Sequence, residues 1–291
     1  MNIRIVSPSG AIESQFIEGA KKRLLSLGWH ITEGQYARSK SGRFAATDAQ
    51  RLSDLRDALA DPSVDMILCS RGGYGMQRII DKVGTINKPI IGFSDITELH
   101  MLAGLNAQPS LHAIMCKHMA QHETKDDVFA QTIAAIEGKT LHYNVAPHSL
   151  NRPGTAEGVL LGGNLSVLYG LQGTPYDLNS IIRSSNITKP LLVLEDIGER
   201  HYHIDRMMNN LRLSGVLEQI GGLIVGQFTD CEDDESMGET LYETIARYTQ
   251  PYNYPVLFNF PTGHVEHNMP LWLNKKAELI VNTDGGMLRQ D

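Results

Sequence analysis

The chain has 291 residues, of which 42% are hydrophobic and 20% charged. That balance belongs to globular proteins and excludes fibrous or disordered classes. Its 26 Lys and Arg against 33 Asp and Glu leave a net charge of −7 with no basic cluster, so nucleic acid is not an expected partner. Cys69, Cys116 and Cys231 share no C-x-x-C spacing, which predicts neither a disulfide framework nor a zinc site and fits a reducing cytoplasm. The first residues enter a strand directly, and no apolar run approaches the roughly 18 residues that span a bilayer, so a cytoplasmic protein without membrane association is expected.

Ile3 to Val6 reads as a strand, ending at Ser7-Pro8-Ser9-Gly10. Phe16, Ala20, Leu24 and Leu27 recur at helical spacing, with Gly28 placed as the terminator. Leu52, Leu55 and Leu59 stripe a second helix over 49–59, stopped by Asp61-Pro62. A buried strand over 64–69 runs into Arg71-Gly72-Gly73, and Ile90-Ile91 runs into Gly92-Phe93-Ser94-Asp95 and another helix. This alternation predicts an α/β fold, an open parallel sheet with functional groups at the carboxyl ends of its strands. The polar stretch 139–156, with two prolines, reads as a linker between domains over 1–145 and 155–291. Beyond it come short strands over 156–161, 191–195, 222–225 and 277–281 with two helices, over 205–217 and 239–248, predicting a smaller, β-rich mixed domain.

The turn around Ser94 has the form of a strand–turn–helix that holds a hydroxyl out of the sheet. The glycine pair Gly72-Gly73 lets the backbone approach a substrate and offers an N–H donor to an oxyanion. A serine nucleophile needs a base and a carboxylate to orient it. His264, in the turn-rich Phe260-Pro261-Thr262-Gly263-His264, is the candidate base or else a turn histidine. Glu195, closing the strand Leu191-Leu192-Val193-Leu194, is the candidate acid or else a cap.

These blocks together resemble the LD-carboxypeptidase family of serine peptidases, which trims murein tetrapeptides and includes the microcin self-immunity hydrolases. The similarity runs nearly end to end through Val6-Ser7-Pro8-Ser9-Gly10, Phe44-Ala45-Ala46-Thr47-Asp48 and Cys69-Ser70-Arg71-Gly72-Gly73-Tyr74-Gly75. It continues through Gly92-Phe93-Ser94-Asp95-Ile96-Thr97, Leu161-Gly162-Gly163-Asn164, Leu194-Glu195-Asp196-Ile197-Gly198-Glu199 and Gly263-His264. The resemblance implies a Rossmann-like amino-terminal domain bearing Ser94 and a smaller carboxy-terminal one bearing Glu195 and His264, with the site in the cleft between them. It implies a Ser94–His264–Glu195 triad, an oxyanion hole from the backbone N–H groups of Gly73 and Asp95, no metal or cofactor, and a homodimer. The implied substrate is a murein tetrapeptide, cleaved between an L-diamino acid and terminal D-alanine; amides of aminoacyl or peptidyl nucleotides are the alternative.

Arg71 is the candidate for the substrate's terminal carboxylate, since a guanidinium offers two parallel donors; a brace for the glycine loop is the other reading. Gly72 and Tyr74 of the same block are further candidates for substrate binding. Asn164 either lines the cleft or is a turn residue at positive φ, and Asp95 either completes the oxyanion hole or caps the following helix. His201-x-His203 on one face of a strand, with His264, His267 and Asp230, would suit a metallohydrolase, and the α/β architecture would also suit a ligand-binding protein without turnover. Two blocks depart from the family pattern, Leu111-His112-Ala113-Ile114 and Met269-Pro270-Leu271-Trp272, and are expected to alter the cleft wall or a dimer contact.

Overall fold

The computed structural model describes residues 1–121 and 127–291. In the first part the elements are β1 (Asn2–Val6), α1 (Ser14–Ser26), β2 (His30–Glu33), α2 (Asp48–Ala60), β3 (Met66–Cys69), α3 (Ile80–Val83), β4 (Ile90–Gly92), α4 (Thr97–Leu105), β5 (Ser110–His112), α5 (Cys116–Gln121) and α6 (Asp127–Ile136). In the second they are β6 (Leu141–Val145), β7 (Gly154–Asn164), α7 (Leu165–Gly170), α8 (Leu178–Ser184), β8 (Leu191–Ile197), α9 (His201–Leu213), α10 (Val216–Gln219), β9 (Gly222–Thr229), α11 (Leu241–Thr249), β10 (Val256–Leu257), β11 (Leu271–Leu273), β12 (Lys276–Asn282) and β13 (Gly285–Gln290). Two compact units result, one of residues 1–137 with 269–274, the other of 138–268 with 275–291. No helix among the described residues is long and apolar enough to cross a membrane.

The first unit is built on a six-stranded sheet in the order β11-β5-β4-β3-β1-β2. All its pairings are parallel except β11 with β5. Ile3, Ile5 and Val6 of β1, Ile67 and Leu68 of β3, and Ile90 and Ile91 of β4 are all buried, as strands covered by helices on both faces must be. Helix α1 buries Ile17, Ala20 and Leu24 and ends with Gly28 at φ +78°, the left-handed terminator its sequence predicts. Helix α2 starts from a capping box in which Thr47 and Gln50 satisfy each other's backbone N–H.

Helix α4 is buried along its whole face from Thr97 to Gly104, and that includes the carboxyl of Glu98. Burial, reinforced by the nearby charge of Asp95, pushes Glu98 up to about 9. The folded chain therefore keeps a proton that the unfolded chain releases above the ordinary carboxylate value, and stability falls as pH rises from about 4.5 towards about 9, by ~1.4 kcal/mol per pH unit at full slope. Glu98→Gln is neutral in both states. Relative to wild type it is expected to gain on the order of 3 kcal/mol between pH 5 and pH 8. Urea melts at the two pH values check this, and parallel pH dependence in the two proteins would reject it.

The second unit holds a seven-stranded sheet, β10-β9-β8-β7-β12-β13-β6, that changes character at β7. On one side β7, β8, β9 and β10 pair in parallel; on the other β7, β12, β13 and β6 pair antiparallel. The eleven-residue β7 serves both, meeting β12 through 154–159 and β8 through 160–164.

Several expectations need correction. The stretch 139–156 carries β6 and the start of β7 rather than acting as a free linker, because His142 and Asn144 alternate outward while Leu141, Tyr143 and Val145 are buried. The two units are nearly equal in length, and the carboxy-terminal one carries α7, α8 and α10 in addition to the two helices expected. His201 and His203 lie on a helix, where alternate residues do not share a face, not on a strand. The two departures from the family pattern lie side by side in the first unit's sheet, Trp272 opposite Leu111 and Leu271 opposite His112, and all four are buried.

Candidate active site

In the first unit three loops follow the carboxyl ends of adjacent parallel strands, β1, β3 and β4, the place where open α/β sheets gather ligands. They are tied to one another. The Gly10 N–H donates to the Gly72 carbonyl at 3.0 Å. The buried Arg51 donates to the carbonyls of Pro8 and Gly75, and Asp48 pairs with its outer nitrogen at 2.6 Å.

Ser94 opens a short 3-10 turn between β4 and α4 and holds φ at +66°. A side chain with a Cβ takes this left-handed conformation at a cost of about 1 kcal/mol or more, so the turn lifts the serine against its backbone preference. The surroundings are shaped to permit it. A Cβ on Gly72 would lie 2.8 Å from the Ser94 Cβ, 3.0 Å from its Oγ and 3.2 Å from the Asp95 nitrogen, and a Cβ on Gly92 would meet Ile96 at 3.0 Å. Gly72 is thus the residue against which the serine side chain rests. Gly73 follows at φ +104°, and its N–H donates to no acceptor among the described residues.

Asp95 does not cap the following helix, whose N-cap position is Ile96 and has no side-chain cap. Its buried Oδ2 accepts the Met76 N–H at 3.0 Å, bracing the far end of the glycine loop; burial raises its carboxyl, while this bond and the charges of Arg51 and Arg43 pull it back. Arg71 donates to the Ala11 carbonyl at 2.7 Å, so part of its guanidinium is a brace. Tyr74 is exposed, its ring 6.0 Å from that of Phe44.

In the second unit Glu195 sits where β8 leaves the sheet. The pairing with β9 slips between Leu194 and Asp196, a bulge of the kind that re-aims a side chain. Glu195 is fully buried in a compartment walled by glycines: a Cβ on Gly263 would lie 2.9 Å from its Cβ and Oε2, and one on Gly226 would lie 3.2 Å from its Cβ. Its Oε2 accepts from His264 Nδ1 at 2.8 Å. With a carboxylate on one ring nitrogen, that nitrogen carries the proton and Nε2 is the basic one. The loop bearing His264 is clasped by Asn268, whose Oδ1 accepts from the Gly263 N–H at 3.0 Å and Thr262 Oγ1 at 3.1 Å.

Asn164 ends β7 at φ −70°, so it is not a positive-φ turn residue. It caps α7 through the Val167 N–H, while its amide donates to Asp196 Oδ1 at 2.9 Å. Asp196 also accepts from the Ser166 and Ile197 N–H groups. Burial and the charge of the neighbouring Glu195 push it up to about 7 in spite of those donors. This buried network and Asn268 were not anticipated from the sequence; the pairing of an aspartate with the candidate acid in Glu195-Asp196 was the available signal.

Of the histidines read as possible metal ligands, His201, His203 and His264 have other partners. His201 Nε2 meets Thr244 Oγ1 at 2.8 Å, its Nδ1 takes the Asp234 N–H, and His203 pairs with Glu199 at 2.7 Å. Among the described residues no three His, Cys, Asp or Glu side chains are grouped to hold a metal ion.

Residues 3–113 match the model of the LD-carboxypeptidase N-terminal domain and residues 157–279 that of the LD-carboxypeptidase C-terminal domain. A putative carboxypeptidase of Streptomyces coelicolor is 31% identical over 97% of this chain and 91% of its own. The murein tetrapeptide carboxypeptidase of Pseudomonas aeruginosa is 27% identical over 96% and 93%. The fold is shared with the crystal structure of muramoyltetrapeptide carboxypeptidase from Oxalobacter formigenes, at TM-score 0.87 and 23% identity over 99% and 98% of the two chains. It is shared too with the structure of MccF in complex with glutamyl sulfamoyl guanosine, at TM-score 0.84 and 17% identity over 100% and 96%. The chain belongs to the LD-carboxypeptidase family of serine-type peptidases.

Proposed function

We propose that this peptidase hydrolyses the amide joining an L-diamino acid to the terminal D-alanine of murein tetrapeptides, with Ser94, His264 and Glu195 as its triad. The observation that carries the reading is Ser94 at φ +66° on a strand–turn–helix at the carboxyl end of β4, the strained placement that presents a nucleophilic hydroxyl. The pairing of buried Glu195 with the partly exposed His264 supports it by supplying an oriented base. Relatives named as murein peptidases support the substrate class.

In this reaction the Ser94 hydroxyl oxygen bonds to the amide carbon as its proton passes to His264 Nε2. The backbone N–H groups of Gly73 and Asp95 receive the charge on the carbonyl oxygen. The C–N bond then breaks, the amine leaves with the proton held by His264, and water repeats the sequence to free Ser94 and the tripeptide acid. Glu195 stabilises the imidazolium without taking its proton. No metal or cofactor enters these steps.

Purified protein incubated with tetrapeptides ending in L-lysyl-D-alanine or meso-diaminopimelyl-D-alanine should release D-alanine, detected by mass. Absence of release from both, together with cleavage of a peptidyl-nucleotide amide, would move the assignment to hydrolysis of aminoacyl- or peptidyl-nucleotide amides, a reading compatible with the fold shared with MccF.

A further inference from the structure

Beside the glycine loop the first unit has an open pocket of about 240 Å³ bordered by Gly10, Gly73 and Tyr74 and by three cations, Lys40, Arg43 and Arg71. No carboxylate borders it. Among the described residues none of the three cations pairs with an aspartate or glutamate, whereas Arg4, Arg38, Arg51 and Arg78 of the same unit all do. In a chain of net charge −7, three uncompensated cations around one concavity repel one another. That repulsion is relieved when an anion sits among them.

Two observations connect this pocket with Ser94. Gly73, on its border, follows the residue against which the serine side chain rests. Arg43 is near enough for its charge to favour the ionised form of Asp95, the residue after the serine. The cations also differ in freedom. Arg71 is held by the Ala11 carbonyl through one nitrogen, and Arg43 lies over the Tyr74 ring, 5.7 Å from its centroid. Both side chains are exposed, yet each has one contact that limits its position and leaves guanidinium donors facing solvent for bidentate capture of a carboxylate.

We propose that the pocket seats the free C-terminal carboxylate of the peptide, with Arg43 and Lys40 completing the site that Arg71 begins. This rests on the reading of Ser94 as the nucleophile. In a carboxypeptidase substrate the terminal carboxylate lies one residue beyond the scissile carbonyl, so its site must adjoin the nucleophile, as a pocket bordered by Gly73, next to the Gly72 that abuts Ser94, does. Lys40 contributes a mobile charge that neutralises the carboxylate, and the arginines set its orientation.

The test pairs enzyme and substrate changes in the full chain. Wild type is compared with Arg43→Gln and with Lys40→Gln/Arg43→Gln on the tetrapeptide and on its C-terminal carboxamide. Wild type should prefer the free acid on the order of 10- to 100-fold in kcat/KM, carried mainly by KM, and the double variant should lose most of that preference, read as the acid-to-carboxamide ratio within each protein. An undiminished preference in the double variant overturns the proposal. So does a preference that responds only to amidation of the diaminopimelyl side-chain carboxylate, which would assign the pocket to the acyl side. Calorimetric binding of the two peptides to Ser94→Ala protein, with and without the double substitution, reads the same preference without turnover. If wild type cleaves neither peptide, the reaction assignment fails, while this binding comparison still decides the pocket.

Discussion

Ser94→Ala is expected to lower kcat for D-alanine release by at least ~10⁴-fold, with whatever remains coming from oxyanion stabilisation and substrate positioning. The change removes one oxygen from a side chain that already rests against Gly72, so it opens no cavity of consequence and the protein stays folded. The backbone supplies a second, independent readout. At φ +66° serine and alanine both have a Cβ in the left-handed region, whereas glycine takes it freely. Ser94→Gly should therefore be inactive yet more stable than Ser94→Ala by about 1 kcal/mol, since relief of the strained Cβ outweighs the added freedom of the unfolded chain. Stability restored on removing the reactive group is what stored strain at a nucleophile predicts. Wild-type turnover in Ser94→Ala would sink the assignment; a glycine variant less stable than the alanine one would show that the turn is not strained as described.

The parts of this arrangement that were legible in the sequence depend on neighbours along the chain. Gly92, Ser94 and the helix that follows form one local unit, and apolar runs ending at Gly72-Gly73 and Ser94 imply parallel strands with loops at one end. Gly28 ends its helix as its position suggests. What failed to read depends on distant partners. The strand Leu271–Leu273 is only three residues long and owes its existence to β5, some 160 positions earlier; no periodicity can show so short an element. The stretch 139–156 has the overall polarity of a linker, although His142 and Asn144 alternate with buried Leu141, Tyr143 and Val145. His201-x-His203 has strand spacing, but the apolar residues Ile204, Met207, Met208 and Leu211 downstream carry the helical period that wins. Asn268 and Asp196 were invisible as partners because a buried hydrogen-bond acceptor is defined by the donors that reach it, here from Gly263 and Thr262 in one case and from Asn164 and Ser166 in the other.

Glu195→Gln carries the second large effect, an expected loss of about 10³- to 10⁴-fold in kcat with little change in fold. The substitution is close to isosteric, which matters because Gly226 and Gly263 leave no room for rearrangement around this side chain. An amide that turns its oxygen to His264 preserves the 2.8 Å hydrogen bond but not the charge that stabilises the imidazolium. An amide that turns its nitrogen there forces the proton onto Nε2 and removes the base. Either way proton transfer from Ser94 suffers while substrate binding does not, so the loss should fall on kcat with KM nearly unchanged. Glu195→Asp keeps the charge but withdraws it by one methylene, and should retain more activity than the glutamine variant. A further consequence separates this electrostatic account from a merely structural one. The charge of Glu195 is one cause, after burial, of the rise of Asp196 to about 7. Neutralising Glu195 makes ionisation of its neighbour easier, so the Asp196 carboxyl should titrate at lower pH in Glu195→Gln than in wild type, observable by carbon NMR of labelled aspartate. An unmoved Asp196 titration, or a Glu195→Gln enzyme that turns over as fast as wild type, would show that the carboxylate is not acting through its charge.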